Sequence, residues 1–202
     1  YIKKNFQDYY SFKNEGFLEI KKDIIKNFPK FLIIIFFKKV IFRLGNKNYF
    51  SRNAILDKIY LKILQNRNVI YSLGGCLIVL NKYKISVYRE YNDLKKAPES
   101  INVNEKIIWD NRFEIKNNTE EKIKVLPLGK AVNNSFYKKN FKIYKKMIKS
   151  VPFHVRKTIP AIFTLEGFIH IPHLNISELN KINSGIECST IDFLVKKYDN
   201  II

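Results

Sequence analysis

Apolar residues in the first third of the chain have the spacing of α-helices. They are nearly continuous over residues 31–44, between Pro29, which cannot lie inside a helix, and the Gly45-Asn46 pair, a typical helix stop. Ser51 is a candidate N-cap for a second helix, in which isoleucine and leucine recur at i, i+4 spacing. Residues 1–66 are therefore predicted to be mainly helical, with these two helices packed as a hairpin.

The pattern changes to that of β-strands near residue 67. Residues 69–80 are rich in β-branched and large apolar side chains, and Gly74-Gly75 interrupts them. Asn81-Lys82 is a plausible tight turn, after which residues 83–91 alternate between apolar and polar. This combination predicts a β-hairpin.

The remainder of the chain predicts further strands and one more helix. The strands fall over 107–116 and 122–128, a final hairpin combines 158–163 with 168–171, and the helix covers 135–149. Because strands and helices occur in blocks rather than in strict alternation, the predicted fold class is α+β. It consists of an N-terminal helical hairpin region and a small antiparallel β-rich domain with one basic helix, and the boundary lies between residues 66 and 67.

The composition is strongly basic. The 202 residues include 37 Lys and Arg against 18 Asp and Glu, which gives a formal net charge of +19. Such an excess favours a polyanionic partner, because each cation placed on a phosphate releases a condensed counterion. A second explanation stays open: Lys, Asn, Ile, Phe and Tyr have A/T-rich codons, and a genome of low G+C content raises the Lys content without selection for binding.

The number of cysteines and the length of the apolar runs indicate in which cellular compartment the protein is expected. Cys76 and Cys188 are too few and too far apart for a disulfide framework, so a reducing, cytoplasmic location is expected. The longest uninterrupted apolar run, residues 31–37, is well short of the about 20 residues that span a bilayer, so no membrane partner is expected.

His170 and His173 could join the cysteines as zinc ligands, but the paired spacing of zinc sites is missing and no metal is predicted. Since the chain begins with Tyr rather than Met, we expect that a further segment precedes it.

Two short motifs invite a functional interpretation. Ser72-Leu-Gly-Gly-Cys76 could hold an anion on backbone N–H groups, but it does not fit the P-loop pattern, and a strand turn or a close backbone approach is the commoner reason for such glycines. In a strand over 109–113, the two aromatic residues and Asn111 would share one face, and Asp110 and Arg112 the other. Two interpretations of Arg112 stay open: an exposed ion pair with Asp110, or a contact to an RNA phosphate or ribose.

Basic residues at the ends of elements and along the 135–149 helix are the candidate RNA contacts. In that helix, lysines at i, i+3 and i, i+4 spacing form a basic stripe with interleaved aromatic residues. Ordinary solvated surface charge is the competing interpretation. The predicted RNA-binding residues are Arg89, Arg112, Lys138, Lys142, Lys145, Arg156 and Lys157.

Several blocks, in their order and spacing, resemble the post-catalytic region of tRNA(Ile)-lysidine synthetase, in the form found in alphaproteobacteria. The departures are mild: Asn111 stands where a glycine is expected, and Ile159 and Phe163 stand where Leu and Trp are usual. Residues 1–66 would fit the segment that links these blocks to the catalytic domain. The matching blocks are Ser72-Leu-Gly-Gly-Cys76, Tyr88-Arg-Glu90, Trp109-Asp-Asn-Arg-Phe113, Leu128-Gly129, Val155-Arg-Lys-Thr-Ile-Pro-Ala161 and Ile171-Pro-His-Leu174.

The resemblance implies an ATP-dependent ligase. The family adenylates C2 of the wobble cytidine of tRNA(Ile) with a CAU anticodon and then joins L-lysine through its ε-amine, using ATP and Mg²⁺ in an N-terminal domain. The PP-loop motif of that domain, of the Ser-Gly-Gly-x-Asp-Ser type, is absent from this sequence. No catalytic residue and no cofactor are therefore assigned to this chain.

The role that the resemblance implies for this region is to hold the tRNA body and acceptor stem. Residues 1–66 would be a helical linker and tRNA-binding domain, and residues 67–202 a C-terminal α+β tRNA-binding domain. Whether the protein forms a homodimer stays open. Two alternative functions also stay open: a standalone RNA-binding module, and an interaction domain that binds no RNA.

A mutation follows from the interpretation in which Arg112 contacts RNA. Arg112→Ala is then expected to weaken tRNA binding by about 1–3 kcal/mol, the size of a lost charge-assisted hydrogen bond. A tRNA-binding titration checks this, and unchanged affinity in a folded variant would contradict it.

Overall fold

The computed structural model describes residues 6–45, 53–94, 97–131, 148–165, 167, 169–174, 176–177 and 185–191. The chain divides into two compact units between Asp93 and Leu94. Among the described residues, the first unit ends at Asp93 and the second runs from Leu94 to Ile191. This division differs from the boundary predicted after residue 66, because the strands that follow residue 66 pair with a strand that precedes the helices and so belong to the first unit.

The first unit combines helices with one sheet. Its strands pair antiparallel in the order β1-β2-β5-β4-β3. The elements are β1 (Tyr10–Lys13), β2 (Phe17–Lys21), α1 (Ile24–Asn27), α2 (Lys30–Gly45), α3 (Asn53–Leu64), β3 (Val69–Leu73), β4 (Cys76–Leu80) and β5 (Lys84–Arg89), with 3-10 turns at Gln7–Tyr9 and Tyr91–Asp93.

The second unit contains two antiparallel sheets. Their orders are β12-β11-β10-β9-β6 and β13-β8-β7. The elements are β6 (Glu99–Ile101), β7 (Lys106–Trp109), β8 (Phe113–Asn117), β9 (Ile123–Pro127), α4 (Leu128–Ala131), β10 (Pro160–Phe163), β11 (Ile169–Ile171), β12 (Ile176–Ser177) and β13 (Ile186–Thr190), with 3-10 turns at Ile148–Ser150 and Pro172–Leu174. Helices together with antiparallel sheets confirm the predicted α+β class.

One hydrophobic core holds the helices of the first unit against its sheet. On α2 the buried residues Ile33, Phe36, Val40 and Leu44 recur at i, i+3 and i, i+4 spacing, which places them on one face. Alternate residues of β2, β4 and β5 form the opposing surface, because successive side chains of a strand point to opposite faces. Because apolar residues are nearly continuous over residues 31–44, the sequence predicted this helix but not which of its faces is buried.

A β-hairpin lies where the sequence analysis expected mainly helix. β1 and β2 pair with the register Tyr10↔Ile20 and are joined by a turn that closes at Gly16, where φ is +76°. Glycine adopts this left-handed conformation without the strain that a Cβ introduces. The buried alternation of Leu18 and Ile20 carried the strand signal, and the helical pattern that follows it in sequence obscured it.

Gly74 and Gly75 form the two-residue turn between β3 and β4. Their φ values are +59° and +79°, typical of the tight turn whose twist matches that of the paired strands. The turn also packs against the end of α2: a Cβ on Gly75 would lie 2.6 Å from the carbonyl oxygen of Gly45. Both structural reasons expected for these glycines, a strand turn and a close backbone approach, are confirmed.

A second tight turn replaces the strand predicted over 107–116. Asp110 and Asn111 have φ values of +49° and +56°, so the chain reverses there and β7 pairs with β8 at Trp109↔Phe113. The continuous strand was wrong, because two left-handed residues cannot extend a strand. Asn is the residue besides glycine that most readily adopts this conformation, which explains why it can stand where the resembling family has glycine.

Other predictions fall partly outside the described residues. The final hairpin is confirmed as β10 pairing with β11, and a short strand, β6, lies in the stretch expected to be a loop. Of the predicted 135–149 helix, residues 135–147 lie outside the described ranges, and Ile148–Ser150 form a 3-10 turn. Ser51 lies outside them as well. No helix among the described residues is long and apolar enough to cross a bilayer.

Substituting Gly45 tests the close approach between α2 and the β3–β4 turn. A Cβ at this position would overlap the carbonyl oxygen of Gly74, which is backbone and cannot rotate away. We expect Gly45→Ala to lower the free energy of unfolding by about 3 kcal/mol or more, as for severe overpacking. Urea denaturation measures this.

Gly167→Ala is the matched control for that substitution. A Cβ there would meet nothing within 4 Å, although φ is +89°. The expected loss is about 1–2 kcal/mol, from backbone strain alone. Equal losses in the two variants would contradict the close-approach explanation for Gly45.

Candidate nucleic-acid interface

Arg112 lies directly after the Asp110-Asn111 turn, and its side chain is fully buried. Its Nε donates to Asp110 Oδ2 at 2.7 Å and its Nη2 donates to the Thr158 carbonyl oxygen at 2.6 Å. The guanidinium carbon lies 4.8 Å from the centre of the Phe113 ring. A buried charge costs several kcal/mol unless it is paired and hydrogen-bonded, and these contacts supply that compensation.

The interpretation of Arg112 and Asp110 as an exposed ion pair was wrong. The turn reverses the chain, so Arg112 is carried into the second unit instead of pointing outward from an extended strand. In this conformation the guanidinium is closed off from any RNA phosphate. The direct RNA contact predicted for Arg112 would therefore require the hairpin to open.

Arg89 at the end of β5 is also buried. Its Nη1 donates to the Gly75 carbonyl oxygen and its Nη2 to the Asp93 carbonyl oxygen, both at 2.8 Å. The side chain thereby ties the β3–β4 turn to the last residues of the first unit. Only 3% of Arg89 is exposed, so its guanidinium is not accessible to an RNA phosphate in this structure. Its predicted role in RNA binding stays a prediction.

The predicted cations Arg156 and Lys157 lie near the surface, in a segment that we call the basic loop, residues 148–158. Lys157 is exposed and Arg156 is half-buried. Arg156 Nε donates to the Val151 carbonyl oxygen at 2.8 Å, which closes the loop on itself. Lys149, which belongs to the basic stripe predicted for the 135–149 helix, is exposed in the same loop. These cations are accessible to a phosphate, unlike Arg89 and Arg112.

Buried Arg112 anchors the end of the basic loop. Thr158, which receives its Nη2 hydrogen bond, also donates from Oγ1 to the Val155 carbonyl oxygen at 3.0 Å. A residue separated from Thr158 by 46 positions therefore fixes where the loop rejoins the core. This role is positional, and only the folded structure reveals it.

The remaining candidates are three lysines, the Cys188 thiol and the possible metal ligands. Lys138, Lys142 and Lys145 lie outside the described residues, so their contribution stays a prediction. Burial raises the pKa of the Cys188 thiol to about 12, so it stays protonated near neutral pH and is not an activated nucleophile. Within the described ranges, no group of three or more His, Cys, Asp or Glu side chains could hold a metal ion.

Arg112→Ala is now expected to act on stability before it acts on binding. It leaves the Asp110 carboxylate and the Thr158 carbonyl without the buried cation, and removing one partner of such a pair costs about 3–5 kcal/mol. Thermal unfolding followed by circular dichroism measures the loss. Lys116→Ala is the control, because its side chain is 44% exposed and its 3.7 Å pair with Glu187 contributes about 0–1 kcal/mol. An Arg112→Ala variant as stable as the control would contradict the anchoring role.

Comparison with known proteins places the chain among bacterial relatives. No protein-family model matches it. The tRNA(Ile)-lysidine synthase of Rickettsia africae (strain ESF-5) is 32% identical over 171 residues, which cover 79% of this chain and 33% of that protein. The enzymes of Rickettsia typhi (strain Wilmington) and of the Wolbachia strain from Brugia malayi are 30% and 27% identical, over 77% and 75% of this chain and 36% of each protein.

The chain spans about one third of the length of the curated relatives that it matches. The similarity extends over most of this chain in each of them, so it is not confined to one motif. The chain is therefore homologous to part of the tRNA(Ile)-lysidine synthases.

Proposed function

We propose that this chain is the tRNA-binding, C-terminal part of a tRNA(Ile)-lysidine synthetase. The observation that carries the proposal is the similarity, over 79% of the chain, to about one third of such enzymes. The PP-loop motif of the resembling family's catalytic domain is absent from this sequence. A region of such an enzyme that lacks this motif serves the reaction by binding the substrate rather than by chemistry.

In the whole enzyme the proposed partner is tRNA(Ile) with a CAU anticodon, and L-lysine is the co-substrate. ATP and Mg²⁺ would bind in the catalytic domain, which supplies adenylation of the wobble cytidine. This chain would hold the tRNA body and acceptor stem while the catalytic domain acts on the anticodon. No cofactor is proposed for this chain.

The basic loop supports an RNA-binding role. Residues 148–158 contain Lys149, Arg156 and Lys157 and no acidic residue. Arg112 and Thr158 fix its end, so its cations are presented from a defined position. Folded RNA is recognised mainly through its shape and its phosphate and ribose groups, for which such exposed cations are suited.

A standalone RNA-binding module is the first alternative. It requires that the reading frame upstream of Tyr1 encodes no Ser-Gly-Gly-x-Asp-Ser motif, and sequencing the gene decides this. An interaction domain that binds no RNA is the second alternative. It predicts no salt-dependent affinity for tRNA.

The salt dependence of tRNA binding tests the proposed function. We expect the affinity for a tRNA(Ile) transcript to fall steeply with salt, by roughly 20- to 40-fold between 50 and 200 mM if three phosphates are contacted. Filter binding at several salt concentrations measures this. A flat or absent response would remove the RNA-binding role.

A charge-matched pair of variants then locates the contact. Removing Lys149 and Lys157 together (both to Ala) is expected to reduce the slope of log affinity against log salt by about 0.7–0.9 for each lost phosphate contact. The control removes Lys106 and Lys116, whose amines already lie 3.3 Å from Glu114 and 3.7 Å from Glu187. The control should leave the slope unchanged. Equal effects would show that net charge, not the basic loop, governs binding.

A further inference from the structure

The most exposed aromatic ring of the basic loop belongs to Phe153, of which 71% is accessible to solvent. Its neighbours on the same loop behave differently: Val151 and Val155 are 2% and 1% exposed and anchor the loop in the second unit. A large ring held in water gains nothing from the hydrophobic effect. Phe153 therefore contributes little to folding, and most of its ring is accessible to a ligand.

The loop that carries Phe153 is held by its own backbone. The Val155 N–H donates to the Pro152 carbonyl oxygen at 2.9 Å, and the Thr158 N–H donates to the Val155 carbonyl oxygen at 2.8 Å. Together with the Arg156 Nε bond to Val151, these contacts bracket Phe153 on both sides. The ring is thus presented from an ordered turn, which lowers the entropy lost when a ligand stacks on it.

One guanidinium and one imidazole lie against the ring. The Arg156 guanidinium carbon lies 5.8 Å from the centre of the Phe153 ring, and the His154 ring meets it edge-on at 5.5 Å. Lys149 and Lys157 are exposed in the same loop, and residues 148–158 include no acidic residue. An aromatic face beside cations is the arrangement that binds an unpaired nucleotide, because the base stacks while the cations contact the flanking phosphates.

We propose that Phe153 is a stacking platform for one unpaired nucleobase of the bound RNA, with Arg156, Lys149 and Lys157 contacting the adjoining phosphates. This inference rests on the proposed RNA-binding function and specifies its ligand, an unstacked nucleotide rather than a duplex. Stacking on an aromatic ring tolerates any base. The platform accordingly adds affinity at an end, loop or bulge of the RNA without reading its sequence.

The test compares Phe153→Leu with Phe153→Tyr in the 202-residue chain. Leu keeps an apolar side chain but removes the aromatic face, and Tyr keeps that face. Affinities are measured by filter binding to a tRNA(Ile) transcript and to a blunt-ended RNA duplex. We expect Phe153→Leu to weaken tRNA binding roughly tenfold, in the range found for single bases stacked on aromatic rings. Duplex binding and the salt slope should stay unchanged, and Phe153→Tyr should bind like the wild type.

Tyr83→Leu is the matched control. Tyr83 is 78% exposed and has Lys82 Nζ 5.6 Å from its ring centre, so it shares the local geometry of Phe153. It lies on a different loop, in the first unit, where the adjoining Lys84 is already paired with Glu19. This variant should bind tRNA as the wild type does. Circular dichroism confirms that each variant is folded.

The outcomes separate this inference from the proposed function. If the wild-type chain binds tRNA with steep salt dependence but Phe153→Leu binds equally well, the stacking platform is overturned and RNA binding stands. The platform is also overturned if Tyr83→Leu loses as much affinity, or if Phe153→Leu weakens duplex binding to the same extent. A wild-type chain that does not bind tRNA overturns the proposed function itself.

Discussion

The buried guanidinium of Arg112 is the interaction on which the second unit depends. It requires Asp110, two residues away across a tight turn, and the Thr158 carbonyl oxygen, 46 residues away. Charge buried in a protein must be met by opposite charge and by hydrogen bonds, so these three groups have to assemble together. The β7–β8 hairpin and the end of the basic loop are consequently linked, and the hairpin fixes the position of the loop through Arg112.

Four of the described basic residues fall into two classes with different physical roles. Arg89 and Arg112 are buried and donate to carbonyl oxygens or to a carboxylate, which suits the planar, multiply donating guanidinium. Lys149 and Lys157 are exposed, as the strongly hydrated ammonium group favours. A net charge of +19 therefore overstates the charge available to a polyanion, because Arg89 and Arg112 are buried and bind groups of the protein itself.

The homology and the geometry both support the proposed role, in which this chain binds RNA and another domain of a larger enzyme catalyses the reaction. Relatives named tRNA(Ile)-lysidine synthase are about three times as long as the matched region, and this sequence has no PP-loop motif of the Ser-Gly-Gly-x-Asp-Ser type. The basic loop carries exposed cations and the exposed Phe153 ring, and Arg112 fixes the end of this loop. In the proposed function this loop binds the RNA, and the catalytic domain of the whole enzyme forms the bond at the anticodon.

The sequence by itself determined the elements whose signal is local. The apolar run of residues 31–44 predicted α2, and alternation predicted the β4–β5 hairpin. Two short strand-like stretches, 158–163 and 168–171, predicted the β10–β11 hairpin, and the conformational freedom of glycine predicted the Gly74-Gly75 turn. It also carried the resemblance to the synthetase family, because the order of short blocks survives where identity is near 30%. The structure corrected Arg112, for which an exposed ion pair with Asp110 and a contact to RNA had both stayed open. Only tertiary structure decided that point, because the burial of a side chain depends on partners such as Thr158 that are distant in sequence, and neither charge nor periodicity encodes them.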